Sequence, residues 1–354
     1  MDEGANMEKK KCWAAVLYGA QDMRIEQVDV PEIGPHDTLI QMKACVLCGS
    51  DLHGYLGRHP RVVYPRILGH EFAGIIEKLG EKVKDFSKGQ RVFCDIDMPC
   101  RTCDPCRQGR ENICANIKTI GFDVDGAYSE YVKVPHENLY PIPSNMSFEE
   151  ACLTNNLGLA YNAVKRRGEV LLNDKVLIIG CGSIGLCTLM LAKSVGADVI
   201  IAGNHDYRLE MAKEFGADEV INAKKDDTVA RTLNFTQGKG VDKVIEIVGG
   251  EQDVTLGQCT QAVKRGGLVV LVGTFSGNKA TLRATEFKDR EINMRGSRSF
   301  IGREALPKVI RLIASGKFNV SRLISHRLRL TEVEKGLKIM KNRTENVMKV
   351  VISP

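Results

Sequence analysis

The sequence predicts an α/β protein of two domains, one of them a doubly wound parallel sheet. Three stretches predict this. KVLIIGCGSIGLCTLMLAKSVGADVIIAG places a glycine-rich turn between a strand and a helix. PCRTCDPCRQGRENIC crowds four cysteines into a polar loop. CGSDLH and GHEFAGIIEKLGEKV add a second group of metal donors upstream. A length of 354 residues suggests two domains.

The composition is that of an ordinary globular protein, 43% hydrophobic and 27% charged, so neither disorder nor a fibrous fold is indicated. The net charge of +6 is spread along the chain and does not point to nucleic acid. The first residues carry no apolar secretion segment, and the most apolar run is broken by glycines and too short for a membrane span. A cytoplasmic protein without membrane contact is the expectation. Most of the twelve cysteines, Cys181 and Cys187 among them, sit singly in apolar stretches and read as small buried hydrophobes.

Cys100, Cys103, Cys106 and Cys114 differ, with spacing C-x2-C-x2-C-x7-C. Thiols every third residue on a tight loop can wrap a soft tetrahedral cation. A disulfide pair is disfavoured in a reducing compartment. An iron–sulfur run closes with a shorter last spacing. Four unligated thiols would be an oxidation liability. Structural zinc fits best. Upstream, Cys48, His70 and Glu71 are further potential zinc ligands, and Gly74 and Gly80 suit a strand entering a crowded barrel.

In the downstream half, Val176–Ile179 reads as a strand, Gly180-Cys-Gly182-Ser183-Ile184-Gly185 as the turn, Ile184–Val195 as a helix and Val199–Ala202 as the next strand. In that context G-x-G-x-x-G marks a pyrophosphate site on a helix N-terminus. Strands at Val244–Val248 and Leu268–Val272, the latter leading to Gly273, continue the sheet. At the end of the second strand an NAD-binding unit normally carries an acid that grips the ribose 2′-hydroxyl. Here the chain reads Gly203, Asn204, His205, with Arg208 beyond. Gly203 leaves room for a 2′-phosphate and Arg208 is a charge to pair with it, which predicts NADP(H), with NAD as the alternative. Asp206 reads as a helix cap.

These motifs, C-G-S-D-x-H, G-H-E-x2-G-x5-G-x2-V and the four-cysteine lobe, in this order, resemble the zinc-dependent medium-chain alcohol dehydrogenase family, nearest its polyol and threonine dehydrogenase branch. The resemblance covers essentially the whole chain. It implies a GroES-like β-rich catalytic domain plus a Rossmann cofactor domain, with residues 1–155 and 299–354 in the first and 156–298 in the second. EINMRGSRSF reads as the return crossing. It implies a catalytic zinc on Cys48 and His70, a proton relay through Ser50 and His53, and Asp51 as the acid that orients the zinc histidine. Relatives place Cys or Glu at the third-ligand position; here stands Asn155, a poor ligand. Glu71, a direct ligand in the polyol branch, takes that place in the expected set. Weak ligation by Asn155, use of Cys152 and an empty site are the alternatives. Lys349 is expected to pair with Asp51. His36 and His59 read as surface residues, and Tyr55, Arg58 and Arg61 as part of an entrance loop with solvated arginines.

The implied activity is oxidation of a secondary alcohol or polyol, or reduction of its ketone, with one catalytic and one structural zinc per chain and a homodimer or homotetramer as the assembly. The alternatives are an NAD-dependent threonine- or sorbitol-type dehydrogenase and a zinc-independent reductase.

Overall fold

A computed structural model describes residues 10–249, 253–274, 281–298 and 302–354. The first nine residues and residue 299, the expected return boundary, lie outside them. The chain forms two compact units, Met1–Thr154 with Ile310–Pro354, and Asn155–Val309.

The first unit is built on strand Asp37–Val46. It pairs antiparallel with Glu71–Leu79, with Tyr131–Pro135 and with the C-terminal strand Lys349–Ser353. Lys349–Ser353 in turn pairs parallel with Ile324–Arg329. The seven-stranded sheet thus recruits strands from both ends of the chain. Its buried face alternates as a half-buried strand should, with Ile40, Met42, Phe72 and Ile76 in one apolar core with Tyr55, Leu68 and Tyr128. The crowding read from Gly74 is real: a Cβ there would stand 2.2 Å from the Gln41 carbonyl on the neighbouring strand.

The second unit is a six-stranded parallel sheet in the order Glu219–Asn222, Asp198–Gly203, Lys175–Ile179, Val241–Glu246, Val263–Leu271, Asn293–Gly296. Succession runs outward from Lys175–Ile179 in one direction and then the other, the doubly wound pattern that leaves a switch point at that strand. Val176, Leu177 and Ile178 are fully buried, which explains the unbroken apolar run. Among the described residues no helix is long and apolar enough to cross a membrane.

Gly74→Ala should cost roughly 2 kcal/mol through overpacking against a backbone that cannot yield. A lowered urea midpoint at unchanged slope checks this; an unshifted midpoint contradicts it.

Candidate metal centres and nucleotide site

The upstream donors converge because helix Gly49–Tyr55 and strand Glu71–Leu79 meet at their N-terminal ends. Cys48 precedes the helix in extended conformation. Asp51, in its first turn, accepts the Cys48 N–H on Oδ2 at 2.9 Å, the carboxylate half of a capping box. Its Oδ1 accepts the Gly69 N–H at 3.3 Å and sits 3.0 Å from His70 Nδ1. Gly69 turns at φ +91°, and a Cβ there would strike the Tyr128 ring at 2.5 Å. The Gly-His-Glu triplet therefore needs glycine to lay its backbone on Tyr128 and present His70.

With Nδ1 held by Asp51, His70 turns Nε2 outward, 3.4 Å from Ser50 Oγ. Cys48, His70 and Glu71 each bring one ligand atom to within 4.8 Å of the others. Burial opposes charge on Asp51, but His70 and the N–H donors outweigh it and its pKa is lowered. Burial likewise opposes charge on His70, and Asp51 outweighs it, raising its pKa well above the ordinary value. A carboxylate behind a histidine in this way fixes the tautomer and raises the basicity of the outward nitrogen. A thiol, an imidazole so oriented and a carboxylate suit zinc, and three protein donors leave a fourth position for a small oxygen ligand.

Lys349 does not pair with Asp51. Its Nζ lies 2.6 Å from Glu71 Oε2, both side chains buried, and 3.5 Å from the Leu47 carbonyl. The reason is placement: Asp51 is already taken by three donors, and strand Lys349–Ser353 runs beside Asp37–Val46, which carries Val46 opposite Glu71. Cys152 stays out of the donor group and directs its thiol to the Ala44 carbonyl at 3.2 Å. Asn155 is half-buried in the first turn of helix Thr154–Tyr161. His53 is exposed near the end of the Gly49–Tyr55 helix.

The four lobe cysteines also converge within 4.8 Å. Cys103 Sγ is 3.4 Å from Cys106 Sγ and 3.8 Å from Cys114 Sγ. Four sulfurs each ~2.3 Å from one tetrahedral ion stand about 3.8 Å apart, so the spacing fits zinc. The thiols are unequal. Hydrogen bonds from Thr102 and neighbouring N–H groups lower Cys100 to about 5, whereas burial pushes Cys106 up to about 12.

In the second unit Gly180 turns at φ +118° and Gly182 precedes helix Ser183–Ser194, the arrangement that receives a pyrophosphate. Ser183 Oγ donates to Asn156 Oδ1 at 2.9 Å, and Ile184 opens the first turn with Gly185 behind it. Gly273 follows the strand Val263–Leu271 and its N–H reaches the Glu246 carbonyl at 3.2 Å. Gly203 ends its strand, and a Cβ there would meet Cys181 Cβ at 2.5 Å. Asn204 is exposed and His205 precedes helix Asp206–Glu214. Arg208 reaches back so that its Nη1 stands 4.0 Å from the Cβ position of Gly182. Its Nε donates to the Tyr207 hydroxyl at 2.7 Å. Asp206 does not cap its helix; it accepts from Asn222 at 2.6 Å and pairs with Lys225 at 3.0 Å.

Phe122, which the sequence does not single out, and His59, expected at the surface, stand beside the first centre instead. Phe122 tilts against the His70 ring at 4.9 Å, and His59, half-buried, stacks on Phe122 at 4.1 Å. Arg61 is not a solvated arginine: it pairs with Asp123 at 3.1 Å and donates to Thr119 Oγ1 at 2.9 Å.

With this fold and these donors, the chain belongs to the zinc-dependent medium-chain alcohol dehydrogenase family, in its polyol- and threonine-dehydrogenase-like branch. Residues 34–144 match the alcohol dehydrogenase GroES-like domain and residues 183–315 the zinc-binding dehydrogenase domain. The chain is 32% identical to sorbitol dehydrogenase of Bacillus subtilis, over 96% of this chain and 97% of that one. It is 35% identical to L-threonine 3-dehydrogenase of Pyrococcus horikoshii, over 92% of each. A zinc-binding dehydrogenase of Sinorhizobium meliloti solved with NADP superposes with a TM-score of 0.90 at 31% identity, covering 98% of this chain and all of the other.

Asp51→Asn should weaken metal binding at the Cys48–His70 centre roughly 10- to 100-fold, through loss of the charge behind His70. Competition with a chromophoric chelator reads this directly, and unchanged affinity contradicts it. Cys106→Ser should remove the other metal and leave the first, as elemental analysis will show.

Proposed function

We propose that the protein is a zinc-dependent oxidoreductase that transfers a hydride between a secondary alcohol or polyol, or the corresponding ketone, and NADP(H). The observation that carries this is the cluster of Cys48, His70 and Glu71, with Asp51 behind the imidazole. Cys48, His70 and Glu71 would hold the catalytic zinc, and Cys100, Cys103, Cys106 and Cys114 would hold a structural one. When bound, the zinc supplies Lewis acidity toward the substrate oxygen and the nucleotide supplies the hydride acceptor.

The chain's own groups handle the proton and the charge. Ser50 Oγ, beside His70 Nε2, accepts the hydroxyl proton of the substrate as it passes its own proton on toward solvent. His53, three residues on and therefore on the same helix face, exchanges protons with solvent from its exposed position. Lys349 balances one of the two anionic ligands by its ion pair with Glu71. Its buried cation limits the net negative charge around the metal, which favours an anionic substrate oxygen there.

The preference for NADP(H) rests on Gly203, where no carboxylate opposes a 2′-phosphate, and on Arg208 over the Gly182 turn. The S. meliloti neighbour solved with NADP supports it. Similarity to L-threonine 3-dehydrogenase favours a second reading, in which the substrate is an amino alcohol.

Glu71→Ala should lower zinc from two per chain toward one and abolish alcohol-dependent nucleotide reduction; two zincs retained would remove Glu71 as a ligand. Comparison of kcat/KM for the two nucleotides should favour NADP, and Arg208→Ala should cost NADP roughly 10- to 100-fold, as for a lost charged hydrogen bond. A clear preference for NAD would overturn the nucleotide assignment.

A further inference from the structure

The loop between helix Gly49–Tyr55 and strand Arg66–Ile67 is fastened down. The Arg61 guanidinium holds Asp123, Thr119 and the Ile117 carbonyl, and the Tyr64 hydroxyl donates to the Gly54 carbonyl at 3.1 Å. This fixes His59 at its centre. One face of the imidazole lies on Phe122 with 29° between the planes, and the same buried phenyl ring leans on His70. The phenyl ring is therefore a shared neighbour of the candidate zinc-ligand imidazole and of a second imidazole outside the donor group.

The tautomer of His59 follows from its backbone. The Arg61 N–H donates to His59 Nδ1 at 3.4 Å, so Nδ1 is the acceptor and the ring proton sits on Nε2. His59 Nε2 makes no hydrogen bond to the described residues. Burial, then the charge of Arg61, lowers its pKa, which keeps the ring neutral near pH 7.

We propose that His59 is a specificity-determining residue, a fixed neutral N–H donor beside the zinc centre that hydrogen-bonds a second oxygen of the substrate. This rests on the dehydrogenase reading above and chooses within it. An N–H donor accepts a hydroxyl or keto oxygen as partner, while an ammonium group has no lone pair to offer it. The residue therefore selects diols and hydroxyketones over simple secondary alcohols, and disfavours amino alcohols. A site built to bond a substrate hydroxyl discriminates strongly against the analogue that lacks it.

The test uses the full chain loaded with zinc and NADP, and three substrates that differ at one position: butane-2,3-diol, butan-2-ol and 3-aminobutan-2-ol. The expected order of kcat/KM is diol, then mono-alcohol, then amino alcohol, with the first step roughly tenfold or more. In His59→Phe, which keeps an aromatic ring against Phe122, the diol preference falls to about one through KM, while zinc content and thermal midpoint stay. His59→Gln, which restores an N–H donor, recovers part of it. Calorimetric titration of the zinc- and NADPH-loaded protein with the diol should show a roughly tenfold weaker Kd in His59→Phe. Oxidation of the substrates without discrimination, an amino alcohol preferred over the diol, or a diol preference that survives His59→Phe overturns the role of His59 alone. No oxidation of any of the three with either nucleotide overturns the dehydrogenase reading and this role together.

Discussion

The first unit depends on one buried carboxylate. Asp51 is fully enclosed, and an unpaired ionised group there would cost several kcal/mol. It is tolerated because the Cys48 N–H, the Gly69 N–H and His70 all converge on it. Meeting that requirement aligns the two candidate metal donors, Cys48 and His70. The helix start must present Cys48, and the tight turn at Gly69 must present His70. The same bonds that satisfy the acid therefore orient the thiol and the imidazole, so stability and function rest here on one set of contacts.

Charge around the centre is balanced from the far end of the chain. Lys349 reaches Glu71 across 278 positions of sequence because the last strand inserts beside the central one. A buried lysine is costly alone, and so is a buried glutamate; together, at 2.6 Å, they are a compensated pair. The C-terminal strand thus completes the sheet and also supplies the cation that the donor group needs.

Much of this was legible in the residues. The glycine turn between an apolar strand and a helix defines a dinucleotide unit locally, because strand, turn and helix are adjacent in sequence. The four cysteines are equally local, since their spacing lets one loop wrap one ion. The partner of Lys349 is not legible in the sequence, because either buried acid offers the same charge and only strand register chooses between them. His59 reads as a surface residue because nothing near it in sequence announces Phe122. Asp206 reads as a cap, yet the helix already begins at Asp206 with His205 in the cap position, and Asn222 and Lys225 claim its carboxylate.

Local spacing carries the parallel-sheet class, the two groups of candidate metal donors and the glycine turn, because each is written within a few tens of residues. Packing selects which acid meets which base, and what stands beside the His70 ring. Those pairings are made between strands and loops distant along the chain, where register and packing, rather than composition, select the neighbour.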